Sequence, residues 1–189
     1  MAHDLNILVI FVHPHPLRSR INRPLREAIS DLPGLHIHDL YEEYPDFYVQ
    51  VEREQAKLDA HDLIVFQHPV YWFSAPALLR EWQDVVLEQG WAYGAKGRAL
   101  HGKRWLQAIS MAGSPESYSK DGQQGFSITK FLRPFEATAH ICGMVWLPPF
   151  LTYSTSSMDN AAIAAQGVAY RDYLTTLRHE TALITAESF

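Results

Sequence analysis

The sequence predicts an α/β fold in which one parallel sheet lies between two layers of helices. Three observations predict it. Short, near-continuous apolar runs recur at residues 7–12, 62–67 and 103–110, as strands covered on both faces require. Amphipathic stretches with apolar residues at helical spacing separate these runs. Strand and helix then alternate from end to end, the pattern of parallel strands joined by crossover helices.

Each element has its own signal. Residues 7–12 (ILVIFV) form the first strand, and Ser19 can cap a helix that runs to about Asp31 and stops at Leu32-Pro33-Gly34. Residues 35–40 (LHIHDL) alternate apolar and polar, like a strand nearer an edge. A charged helix over 51–60 leads to the third strand at 62–67. The helix over 74–89 carries Leu78, Leu79, Trp82, Val85 and Val86 at helical spacing. The fourth strand spans 103–110, a helix spans 129–142, and the fifth strand spans 145–153, bent by Pro148 and Pro149. A final amphipathic helix runs from 159 to about 177. No repeat, low-complexity tract or linker interrupts this order, so a single domain over residues 1–189 is expected. Five strands suggest a flavodoxin-like three-layer sandwich with strand order 2-1-3-4-5.

Composition narrows the class. Hydrophobic residues are 47% and charged residues 20%, ordinary for a globular protein. A net charge of −5 lacks the basic footprint of a nucleic-acid binder. Cys142 is the one cysteine, so no intramolecular disulfide forms and the chain suits a reducing compartment. The N-terminus lacks a basic region and a cleavage site and reads as a first strand rather than a signal peptide. No apolar run reaches the length of a membrane span. A cytoplasmic location is expected.

Sheets of this order bind ligands outside the carboxyl ends of the strands, near the switch in strand order. The loops to search are therefore 13–22, 68–74 and 110–125. The first, HPHPLRSRIN, leads into a helix start with Ser19, Arg20 and Asn22. Free backbone N–H groups and the dipole make such a start an anion site, although ordinary capping by Ser19 beside a solvated Arg20 explains it as well. It is neither G-x-G-x-x-G nor a Walker loop, and His13 and His15 have no Cys or carboxylate set around them to make a metal site. The second loop, HPVYWFS, has aromatic faces and backbone donors at a strand end, the makings of a platform for a planar ligand. Tyr71, Trp72 and Phe73 cannot all pack inward on one face. The third, SMAGSPESYSKDGQQGF, is rich in small residues that let a backbone approach a ligand, and Tyr118 is a hydrogen-bond donor within it. Taken together, a phosphate nest, an aromatic platform and a glycine-containing loop fit a flavin mononucleotide.

The residues also resemble a known family. H-P-x-P before S-x-x-N (His13, Ser19, Asn22), DLY with YPDF (residues 39–47), LIVFQHP (63–69), PALL-x-EW (76–82), GWAYG (90–94), RPFEATA (133–139) and CG-x-x-WLPPF (142–150) occur in order. The chain is similar in these to the flavodoxin-fold NAD(P)H:quinone oxidoreductases, and within them to the ancillary proteins of glutathione-regulated potassium-efflux systems. The resemblance implies FMN, with FAD as the alternative, NAD(P)H as reductant, a quinone as acceptor and a homodimer. It also admits a regulatory role on a membrane potassium/proton antiporter, and with it a place at the inner membrane through that partner. Carried over by position, His13 and Ser19, Arg20, Ile21 and Asn22 would meet the flavin phosphate. Val70, Tyr71, Trp72 and Phe73 would meet the ring, with Ser110, Met111, Ala112 and Gly113 beside it. Trp72 and Phe73 would form the pocket wall, Tyr118 would stabilise charge on the reduced ring, and Tyr93 would reach the pocket of the partner subunit. Two positions depart from the family: Ser110-Met111-Ala112-Gly113 stands where T-T-G-G is common, and Gln123 or Gln124 where a histidine is common. A glutamine donates a hydrogen bond but does not take up a proton.

Overall fold

A computed structural model describes residues 4–179; the expected domain's outermost residues, 1–3 and 180–189, lie outside the described residues. In chain order the elements are β1 (Ile7–Phe11), a 3₁₀ turn (Pro16–Arg18), α1 (Asn22–Ile29), β2 (Leu35–Asp39), α2 (Leu40–Glu43) and α3 (Val51–Asp59). They continue with β3 (Leu63–Pro69), α4 (Ala77–Val86), β4 (Arg104–Ser110), α5 (Ile128–Ile141), β5 (Val145–Trp146), β6 (Phe150–Thr152) and α6 (Asn160–His179). The strand order is β2-β1-β3-β4-β5, all parallel, with β6 also beside β4. This is the order the sequence predicts.

Alternation along each strand sorts the side chains onto two faces. On one face Leu8, Ile10, Ile64, Phe66 and Trp105 pack against Leu78, Leu79 and Trp82 of α4 and Leu132 and Phe135 of α5. On the other, Ile7, Val9, Leu63, Val65 and Leu106 meet Leu25 and Ile29 of α1 and Ile163, Tyr170 and Leu174 of α6. Gly167 lets α6 lie close on α1: a Cβ there would stand 3.1 Å from that of Ala28.

Three departures from the expected elements have physical reasons. The fifth strand is two strands on one edge: β5 pairs with Arg104 and Trp105, and β6 with Ala108, Ile109 and Ser110. Pro148 and Pro149 lie between and have no N–H to give to the ladder. The first helix starts at Asn22 rather than Ser19, because Pro16–Arg18 takes a 3₁₀ turn; Ser19 Oγ still accepts the Asn22 N–H at 3.0 Å. The short α2 has no signal of its own in the sequence and is capped by Asp39, whose carboxylate accepts the Glu42 N–H.

One charged group is buried beneath α2. Glu54, 1% exposed, accepts from Tyr44 Oη at 2.7 Å and Trp82 Nε1 at 2.8 Å, lies 3.0 Å from His38 Nε2, and pairs with Lys57. Burial pushes its carboxyl up, but the His38, Lys57 and Tyr44 contacts outweigh this and hold it down to about 2. The network ties β2, α3 and α4 together around the start of the YPDF segment.

Candidate active site

The three loops converge at the carboxyl ends of β1, β3 and β4. Their bases are bonded directly. Asn22 Nδ2 donates to Ser110 Oγ at 2.8 Å, and the Val70 N–H donates to the Ser110 carbonyl at 2.8 Å. The rings of His13 and Tyr71 meet edge-on at 6.4 Å.

In the first loop His13 is buried. Its Nδ1 accepts the His15 N–H at 3.0 Å, and burial, reinforced by His15, lowers its pKa. A neutral His13 shapes the loop rather than supplying charge. The N–H groups of Arg20 and Ile21 donate to no protein acceptor among the described residues. They stand beside Ser19 Oγ at the start of α1, which is the nest an anion needs. Arg20 is held in place by Nη2 donating to the Met158 carbonyl at 3.0 Å. Asn22 is 3% exposed and its Oδ1 has no partner. A second tether lies below: Gln67 Nε2 donates to the Asn22 carbonyl at 2.8 Å, and Gln67 Oε1 faces Tyr170 Oη at 3.4 Å.

The second loop is a tight hairpin. Tyr71 and Ser74 exchange both backbone hydrogen bonds, at 3.0 Å each. Trp72 and Phe73 between them both have positive φ, +46° and +62°. A two-residue hairpin of this kind favours Asn and Gly; each aromatic here costs about 1–2 kcal/mol in this region. Strain of this sort collects at functional sites. The N–H groups of Trp72 and Phe73 have no backbone acceptor among the described residues. Trp72 is 94% exposed, while the Phe73 ring stacks on Phe131 at 4.8 Å.

Phe131 organises the far wall. Besides Phe73 it meets Tyr118 edge-on at 6.2 Å and Phe126 at 5.9 Å, and Tyr118 lies 5.9 Å from Tyr153. Lys130 stands over the Phe126 ring. Phe126, Phe131 and Tyr153 were not singled out in the sequence. Phe131 sits at a helical position beside core residues, and nothing in its neighbours marks it as facing a loop across the site. Burial raises the Tyr118 pKa, so Tyr118 is a phenol at neutral pH.

The third loop starts in the core and then turns outward. Met111 has its side chain buried in the core, its N–H donates to the Thr152 carbonyl and its carbonyl accepts the Thr155 N–H. Ala112 and Gly113 carry the loop outward from there. Gly113 is small for an internal reason. A Cβ there would stand 2.5 Å from Ser117 Oγ and 2.8 Å from Tyr118 Cε2, so the missing side chain makes room for the same loop's own Tyr118. Tyr93 is not among the residues brought together; it lies half-buried against the core in the connection between α4 and β4. Among the described residues no group of three His, Cys, Asp or Glu is placed to hold a metal.

These groups fit a flavin mononucleotide. The nest at Arg20 and Ile21 suits one phosphate. The orphaned Asn22 Oδ1 suits a hydroxyl donor, and the Trp72 and Phe73 N–H groups suit the polar edge of a heteroaromatic ring.

Comparison with known proteins bears on the fold and the cofactor. The model of a family described as having a flavodoxin-like fold matches residues 5–174. The glutathione-regulated potassium-efflux system ancillary protein KefG of Pectobacterium atrosepticum is 39% identical over 176 residues, 93% of this chain and 96% of that protein. The crystal structure of general stress protein 14 from Treponema denticola, a complex with FMN, superposes with a TM-score of 0.87 at 36% identity, covering 91% of this chain and 99% of that one. An NADPH-quinone reductase from P. pentosaceus superposes with a TM-score of 0.81 at 31% identity, covering 89% and 97%.

Proposed function

The chain belongs to the family with the flavodoxin-like fold, and on that premise we propose that it is an FMN-dependent NAD(P)H oxidoreductase with a quinone-type acceptor. The observation that carries this reading is the strained Tyr71–Ser74 hairpin, which frees the Trp72 and Phe73 N–H groups beside an anion nest one strand away. When bound, FMN supplies the two-electron chemistry, taking hydride from NAD(P)H and passing it to the acceptor.

The chain's own residues bind and orient. Ser19, Arg20, Ile21 and Asn22 hold the phosphate end, with FMN preferred to FAD because the first loop offers one nest. Val70, Tyr71, Trp72 and Phe73 hold the ring end, the last two through their main-chain donors. Ala112 and Gly113 floor the site, and Ser110 fixes Asn22. Trp72 and Phe73, with Phe126, Phe131, Tyr118 and Tyr153, make an aromatic wall that suits a flat acceptor. Tyr118, a phenol, donates a hydrogen bond toward developing negative charge. With glutamines at 123 and 124, the loop offers hydrogen-bond donors there but no imidazole.

The NADPH-quinone reductase and the FMN complex among the similar structures support this reading. We also propose a homodimer, in which Tyr93 lines the partner's pocket. The relation to KefG favours a second reading, in which the same flavoprotein regulates a membrane antiporter. No helix among the described residues is long and apolar enough to cross a membrane, so membrane association in that reading comes through the antiporter. Turnover of NADH and NADPH against a quinone panel tests the first reading; co-purification with an antiporter tests the second.

A further inference from the structure

We infer that His68 is a positioning residue for the loop that carries Trp72 and Phe73. It is a neutral imidazole, protonated on Nδ1, that donates to the Pro69 carbonyl and accepts from the side-chain amide of Gln107. The inference deepens the proposed flavin reading and rests on it only for what the loop holds.

His68 is 1% exposed, near the end of β3. It shares a sheet face with Phe66 and with Gln107 of β4, which is Phe66's partner in register, and its ring packs 6.0 Å from that of Phe135. Nδ1 lies 2.8 Å from the Pro69 carbonyl oxygen, and Nε2 lies 2.8 Å from Gln107 Oε1. Both of those oxygens are acceptors, yet a neutral imidazole has one N–H. A doubly protonated ring would answer both, but it would place a charge in the core with no carboxylate among its contacts, and burial lowers the pKa of this group.

Gln107 resolves the conflict. As placed, its amide nitrogen is buried with no partner. Amide oxygen and nitrogen are alike in shape, and their assignment follows from the hydrogen bonds. With the amide reversed, the Gln107 NH₂ donates to His68 Nε2, and Nδ1–H donates to Pro69. The group left unpaired is then a carbonyl oxygen, which is better tolerated in a core than an N–H.

The consequence falls on one peptide. Its carbonyl, Pro69, is held by His68; its N–H, Val70, is held by the Ser110 carbonyl at 2.8 Å. Pinned at both ends, this peptide fixes the direction in which the chain enters the hairpin one residue later. That is how the positive φ of Trp72 and Phe73 is sustained without glycine, and how their N–H groups are aimed before any ligand arrives.

The test uses His68→Phe, which keeps an aromatic ring in the core and removes both hydrogen bonds, and Gln107→Leu, which removes the amide. On ligand-free protein at neutral pH, nitrogen NMR of the His68 ring should show Nδ1 protonated and Nε2 bare. His68→Phe should leave the thermal midpoint within a few degrees, yet speed amide exchange at residues 70–73 and weaken FMN binding by about tenfold or more. Gln107→Leu should do the same more mildly, and the double variant should be no worse than His68→Phe alone. A doubly protonated ring, an Nε2–H tautomer, or unchanged exchange in both variants would overturn the inference. Where His68→Phe does not fold, Gln107→Leu carries the exchange measurement alone. Faster exchange in a protein whose parent does not bind FMN would uphold the clamp and remove the flavin reading.

Discussion

At Trp72 the backbone is strained and the side chain has no packing to offset the cost. The indole is 94% exposed on a φ of +46°, and in the proposed reading it serves the bound ligand rather than the fold. Trp72→Ala should therefore change the unfolding free energy by no more than about 0.5 kcal/mol while lowering kcat/KM by about tenfold or more. Denaturant melts and steady-state kinetics on one preparation check both halves. The aromatic cluster was legible in the sequence from three large rings that cannot share one face. Its backbone was not, because positive φ is ordinarily announced by Gly or Asn, and here neither stands at those positions. Gly113 was legible as a special position but for another reason: its missing Cβ serves Tyr118. Gly113→Ala should displace Tyr118 and slow turnover several-fold with only a small loss of FMN affinity; equal turnover by both proteins would remove Tyr118 from the chemistry.

Among the elements, long strands with period and composition in agreement were legible to within a residue or two, as at β1, β3 and β4. The edge was not. Pro148 and Pro149 announced a bend, but whether pairing resumes depends on Ala108 to Ser110 of β4 waiting opposite, which no local signal shows. Side-chain networks across elements were hidden for the same reason. Asn22, Gln67, Ser110 and Tyr170 lie far apart in sequence and join in one buried set. Glu54 read as one more charge on a charged helix, yet it is the buried acceptor that joins β2, α3 and α4. Glu54→Gln keeps the shape and removes the charge that His38, Lys57, Tyr44 and Trp82 surround. It should cost about 2–4 kcal/mol, read from urea unfolding at pH 7, and a loss below 0.5 kcal/mol would show the network to be dispensable.

For the whole molecule, protonation sets the acid limit of stability. Burial lowers the pKa values of His13, His61 and His68 below the usual 6.5, so the unfolded chain binds these protons first and stability falls as pH drops below 6.5. Glu54, held at about 2 against an ordinary 4.5, adds stability that is complete above 4.5 and is lost as pH falls from 4.5 toward 2. Asp39, raised by burial, opposes this. The urea midpoint should thus decline in two stages below neutrality, with Glu54→Gln flattening the second. The architecture was readable because sheet order follows from alternation, and the proposed position of the site rests on sheet order; the aromatic cluster around Phe131 needed the folded chain. The central claim, a flavin site at the ends of β1, β3 and β4, meets its most direct test in one titration. FMN added to the purified, flavin-free protein should bind near one per chain, and the loaded protein should oxidise NADH or NADPH with a quinone far faster than free FMN does. A protein that stays colourless after FMN is added and the excess removed, or whose NAD(P)H oxidation matches that of free FMN, would contradict the account.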